Sequence, residues 1–147
     1  MEKKTFVKYL DSIFATHGFR KKGNSWRSGD DMLLKIIELQ KSRFGNMYYL
    51  NYGFIFKDLE LEDFRMHLYY GLGSNDSNEN NRIKELLNLE KDIPDDQREK
   101  ELKYFIEKNM LKDFESLNSK IDIVNSLQKR PHLNDVPLVV KKYLNLN

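Results

Sequence analysis

The sequence predicts an α+β fold: an N-terminal helix, an antiparallel sheet of about four strands, then several helices packed on one face of the sheet. Three observations carry this. Apolar residues recur with the helical period at the start of the chain, alternate strictly through the middle, and return to the helical period in the last third. Strands grouped in one block, rather than interleaved with helices, separate α+β from a parallel α/β arrangement. The length of 147 residues suits one domain with one core, and no repeat, linker or low-complexity tract divides residues 1–147.

Taken in order, Phe6, Val7, Leu10, Ile13 and Phe14 form one stripe over a helix from about Thr5 to His17. Gly18 stands where a helix ends in the left-handed conformation, with Phe19 placed to fold back on the stripe. Asn24 to Ser28, centred on Trp26, reads as a short strand closed by the turn Gly29-Asp30-Asp31. Met32 to Lys41 is almost continuously apolar, the pattern of a central strand covered on both faces, and Phe44-Gly45-Asn46 supplies the next turn. Tyr48 to Phe56 alternates, with Tyr48, Leu50, Tyr52, Phe54 and Phe56 on one side and Tyr49, Asn51, Gly53 and Ile55 on the other. After the acidic connector Lys57 to Asp63, Phe64 to Leu72 repeats the pattern. Phe64, Met66, Leu68, Tyr70 and Leu72 take the apolar side, and Arg65, His67, Tyr69 and Gly71 the mixed side. Neighbouring strands with one greasy and one mixed face predict an antiparallel meander covered by helices on one side.

Gly73 to Asn81, rich in Ser and Asn, reads as a loop. Leu86, Leu87 and Leu89 indicate a short helix ending before Pro94, and Asp95 or Asp96 caps a long helix carrying Leu102, Phe105, Ile106, Met110, Phe114 and Leu117. Ser119-Lys120-Ile121-Asp122 resembles a capping arrangement for a helix through Leu127, stopped by Pro131. Asn134-Asp135, with Pro137 just inside, opens a last helix holding Leu138, Val139, Tyr143 and Leu144.

Composition narrows the class. With 39% hydrophobic and 33% charged residues the chain lies outside the disordered range. Lys35 interrupts Leu33, Leu34, Ile36 and Ile37, so no apolar run approaches membrane-spanning length. Met1-Glu2-Lys3-Lys4 leads into an amphipathic segment rather than a signal core. The absence of cysteine removes disulfides, thiolate metal sites and Cys nucleophiles, and the expected location is the cytoplasm. A net charge of +2 hides an asymmetry: residues 1–57 hold 11 Lys/Arg against 5 Asp/Glu, and residues 58–147 hold 14 against 18. A basic front half and an acidic back half either steer an acidic partner to one face or neutralise each other within the folded domain, and the second is the favoured reading.

Gly18-Phe19-Arg20-Lys21-Lys22-Gly23, Trp26, Gln40-Lys41-Ser42 and Asn51-Tyr52-Gly53 fall in a distinctive order and spacing. In these elements the first half of the chain resembles the family known as domain of unknown function 4304, found mostly in bacteria. Its pattern runs Gly-Phe-Lys-Lys-x-Gly, an aromatic position, a Gln-Lys-Ser-like element and an Asn-x-Gly strand. The helical second half carries no further motif. The resemblance sharpens the fold reading and implies no activity.

Catalytic signatures are missing. There is no HExxH pair, no GxSxG elbow, and no GxxxxGK[ST] or GxGxxG phosphate loop, so no catalytic residue, metal or cofactor is assigned. An enzyme built on His67 and a nearby carboxylate has the least support. The mixed strand face is richer: Gln40, Asn51 and His67 lie with Tyr49, Tyr69 and Arg65, where amides fix a ligand and tyrosines add area at low entropic cost. With the first turn added, the expected partner surface is Arg20, Trp26, Gln40, Asn51, Arg65 and His67. The function favoured is a non-catalytic protein-binding module with no membrane partner, and a toxin-neutralising immunity protein is one concrete form. The alternative is nucleic-acid binding through Arg20, Lys21, Lys22 and Arg27, with Lys41 and Arg43 at the next turn and Trp26, Tyr48 and Tyr49 to stack bases. An isoelectric point near 8.6 falls short of a dedicated nucleic-acid binder.

Overall fold

In the computed structural model, which describes residues 1–146, helix α1 (Lys3–Thr16) buries Phe6, Leu10, Ile13 and Phe14. Its end follows from Gly18, whose φ of 85° lets the chain reverse. The Gly18 N–H then donates to Ala15 O and the Phe19 N–H to Phe14 O, both at 3.1 Å. The Phe14 and Phe19 rings meet edge-on, completing the closure with an apolar contact.

Five strands follow in one antiparallel meander, β1-β2-β3-β4-β5. They are β1 (Arg20–Lys22), β2 (Ser25–Gly29), β3 (Leu33–Lys41), β4 (Tyr48–Phe56) and β5 (Leu68–Gly71). One strand more than expected is present, because the basic run Arg20–Lys22 pairs with β2 across a turn in which Gly23 has φ of 63°. At the next turn the Asp30 carboxylate accepts from the Met32 and Leu33 N–H groups, each at 2.9 Å. Strand β5 is shorter than the alternation of Phe64 to Leu72 indicates. It begins at Leu68, and Phe64 to His67 belong to the connector.

Helix α2 (Ser77–Leu86) starts inside the segment read as a loop. Asp76 caps it, accepting from the Asn78 and Glu79 N–H groups. The long helix is three pieces in line: α3 (Asp95–Ile106), a π-helical turn (Glu107–Leu111) and α4 (Lys112–Ser116). Its N-cap is Pro94, with Asp95 and Asp96 in the first turn rather than capping. The π turn widens the step so that Met110 and Leu111 both face the core. Helix α5 (Lys120–Gln128) is capped by Ser119, whose hydroxyl accepts from the Asp122 N–H at 3.2 Å. Helix α6 (Leu138–Tyr143) begins after Pro137, later than Asn134-Asp135 implies.

The helices pack on the face that presents Trp26, Ile37, Leu50, Tyr52 and Phe54. Phe14 lies against Trp26, and Phe114 of α4 contacts Phe19, Tyr52 and Phe54. Lys35 also points to this side, so β3 is not wholly apolar there. Its ammonium donates to Phe114 O and Asn118 Oδ1, both at 2.6 Å, placing a cation at the C-terminal end of α4. Burial lowers the Lys35 pKa, and Asp30 and Asp122 partly oppose this. No helix among the described residues is long and apolar enough to cross a membrane.

Candidate functional site: the open face of the sheet

The strand register sets what the opposite face carries. Directly paired residues point the same way, so Lys22, Ser25, Glu38, Asn51 and Gly71 form one row across the sheet. Arg20, Arg27, Ile36, Gly53 and Tyr69 form the next. The connector between β4 and β5 brings Leu61, Phe64 and Arg65 over β3 and leaves a groove of about 510 Å³ along Arg27, Glu38 and Gln40, lined by no helix, while α2 approaches the Asn51–Gly71 end of the first row.

Two polar pairs organise the centre of this face. Arg65 Nη1 donates to Glu38 Oε2 at 3.0 Å, and Asn51 Nδ2 donates to Gln40 Oε1 at 2.9 Å. Arg65 is largely exposed, so its ion pair orients side chains more than it stabilises the fold. Tyr49 and Tyr69 stand exposed on the same face. Burial raises the pKa of Tyr69 and the Glu38 charge adds to this, while Arg65 offsets part of it. Arg20, Lys22 and Arg27 are exposed on this face at the β1–β2 end, and Lys41, whose register partner Tyr48 belongs to the other face, lines the groove at the exposed end of β3. The face is therefore basic, with the Glu38 carboxylate already held by Arg65.

Gly53 is required by the close approach of β5. A Cβ there meets the Leu68 carbonyl at 1.8 Å and Met66 Sδ at 2.8 Å. That crossing explains why an Asn-x-Gly element sits on this strand.

Four of the six expected partner residues, Arg20, Gln40, Asn51 and Arg65, share this face. Trp26 and His67 do not. Trp26 is fully buried beneath α1, and its indole N–H donates to Asp11 Oδ1 at 3.0 Å. The short strand around it left its facing undetermined, and the apolar stripe of α1 claims the indole. His67 is 1% exposed and stacks on Phe56. Its Nδ1 accepts from the Phe56 N–H at 2.9 Å, which leaves Nε2 to donate to Glu60 O at 3.0 Å. Both ring nitrogens are thus spent on backbone, supplying Phe56 with the partner that the late start of β5 denies it. Glu38 and the wall formed by Leu61 and Phe64 were missed. The only available signal was the polar interruption Glu38, Gln40 at a spacing of two within an apolar strand.

Comparison with curated proteins and with solved structures gives no match. The family resemblance seen at Gly18 to Gly53 extends beyond those motifs, through the β4–β5 connector and α2 to the end of α4. With the family model matching residues 10–116, the chain belongs to the family described as a domain of unknown function, DUF4304.

Proposed function

We propose that this protein is a non-catalytic recognition module of the cytoplasm whose open sheet face receives an acidic partner protein. One observation carries the reading: Arg20, Lys22, Arg27 and Lys41 lie exposed around a helix-free groove in which the nearest carboxylate, Glu38, is already paired with Arg65. Charge of one sign at the mouth of a polar concavity speeds encounter with the opposite sign and rejects basic partners. Tyr49, Tyr69 and Phe64 supply the amphipathic contact area that protein interfaces favour. A toxin-neutralising immunity protein is one concrete form of such a module, a small domain that occludes an acidic surface of its target. Nucleic-acid binding has less behind it, because Trp26 and Tyr48, two of the aromatic platforms it needs, are buried.

The test is a pull-down from native extract with the wild type, with Arg27→Glu/Lys41→Glu, and with Lys100→Glu on exposed α3 as a charge control, each with and without nuclease. The reading expects an acidic protein at stoichiometric recovery that resists nuclease, is kept by Lys100→Glu and is lost by the double variant. Recovery abolished by nuclease assigns the face to nucleic acid. Equal recovery by the wild type and both variants removes the face from the interaction.

A further inference from the structure

A second cavity lies apart from the basic groove, between the end of β5 and α2. We propose that it binds a small aromatic carboxylic acid carrying an N–H donor, of the indole-carboxylate kind. Its volume of about 400 Å³ and its apolar lining, with Leu50, Leu72, Ile83 and Leu87 among the walls, suit a bicyclic ring system.

The polar groups at this cavity are few and differently committed. Asn80 Oδ1 already accepts from the Ser74 N–H, and the Tyr48 hydroxyl donates to Asn46. Asn51 is different. Its side chain is 6% exposed, and its amide is oriented by Nδ2 donating to Gln40. That orientation leaves Oδ1 over Gly71, 3.8 Å from where a Cβ would stand, accepting no hydrogen bond from the described residues. A fixed, nearly buried acceptor without a donor is what a ligand N–H satisfies. Lys84, exposed on α2, is the one charged residue lining the cavity, and it forms no ion pair among the described residues. It supplies the counter-charge for a carboxylate. Gly71 keeps the space open, since any larger side chain there would project toward Asn51 Oδ1. One nearly buried acceptor, one cation and apolar walls, with the exposed Tyr49 hydroxyl also uncommitted, specify one donor, one anionic group and a ring. This site uses none of the groove's cations, so the inference stands apart from the partner-protein reading.

The probe is indole-3-acetate, followed by titration calorimetry and by amide NMR of the full chain. The expected result is saturable one-site binding with shifts at the Asn51 side-chain amide, Gly71 and Lys84. Binding should be about tenfold weaker for 1-methylindole-3-acetate, which lacks the donor, and about tenfold weaker for Lys84→Gln. Gly71→Leu should abolish it. Gly71 has no neighbour closer than 3.8 Å to a built Cβ and Lys84 is exposed, so both variants are compatible with the fold. No saturation with the wild type overturns the proposal, as does unchanged affinity for the methylated analogue or for either variant.

Discussion

Asn51 Nδ2 donates to Gln40 Oε1 across a diagonal of the sheet, since the register partner of Asn51 is Glu38 and that of Gln40 is Tyr49. The diagonal leaves Glu38 for Arg65, so an amide pair and an ion pair lie side by side on the open face. If the amides hold each other, their contributions are coupled. Gln40→Ala should lower the unfolding free energy by about 1 kcal/mol, and the Gln40→Ala/Asn51→Ala double variant should lose less than the two singles together. Urea unfolding of the four-member cycle measures this, and strict additivity would show that the bond contributes nothing.

His67 makes a prediction of a different size. Its imidazole stands in for a missing rung of the β4–β5 ladder, accepting from the Phe56 N–H and donating to Glu60 O in a site closed to water. His67→Leu keeps comparable bulk and orphans both backbone groups, which should cost about 2–4 kcal/mol. A loss below about 0.5 kcal/mol in urea unfolding would mean that the connector re-pairs these groups without the ring.

These two residues show where the sequence was readable. The Gly18-Phe19 helix ending, the turn at Asp30 and the Ser119 cap each rest on contacts between near neighbours, and each formed as read. The alternation of Tyr48 to Phe56 also held, because one face of that strand is wholly buried. Strand β1 was hidden since Arg20, Lys21 and Lys22 show no alternation, and only their pairing with Ser25 to Arg27 makes them a strand. Helix α2 was hidden by poor helix formers, and its stability comes from the Asp76 cap and the burial of Ile83 and Leu86. At the site, Gln40, Asn51 and Arg65 were legible because the alternation assigns them a face. His67 sits only four residues before Gly71, but the ladder breaks between Leu68 and Met66, so period-two counting put it on the wrong side.

Arg98 is an unexpected member of the interior. Its guanidinium is fully buried, with no carboxylate in contact, and donates through Nη1 to the carbonyls of Leu86 and Asn88 and through Nη2 to Lys91 O. Leu86 O, at the end of α2, has no backbone donor, whereas Asn88 O and Lys91 O also accept from the Lys91 and Ile93 N–H groups. Burial lowers the Arg98 pKa, and Asp95 partly opposes this. Arg98→Met fills much of the volume but strands the Leu86 carbonyl and strips Asn88 O and Lys91 O of their second donor, so it should cost about 2 kcal/mol or more. Arg98→Lys, a point charge without the planar fork, should recover only part of that. Equal stability of the Lys variant and the wild type in urea would show that charge alone suffices.

The Tyr52 hydroxyl gives the fold its response to alkali. It is placed at 3.0 Å from both Asn109 O on the π turn and Asp113 Oδ2. Burial raises its pKa well above 10, and the Asp113 carboxylate adds to this. Burial and Asp58 likewise push Tyr143 up to about 12. Because the folded values are raised, the unfolded chain releases these protons first. The stability they contribute is complete below pH 10 and is lost as pH rises, through about 12 for Tyr143 and onward for Tyr52. Lys35, lowered by burial, works in the other direction, but only up to its ordinary value of 10.5. The net fall should therefore be clearest above pH 10.5, with each such tyrosine adding at most about 1.4 kcal/mol per pH unit. Tyr52→Phe should be less stable than the wild type at pH 9 and fall less steeply between pH 10.5 and 12, read as urea midpoints. Parallel curves for the two proteins would place the proton linkage elsewhere, whereas convergence toward high pH would locate it at the hydroxyl that joins β4 to the π turn.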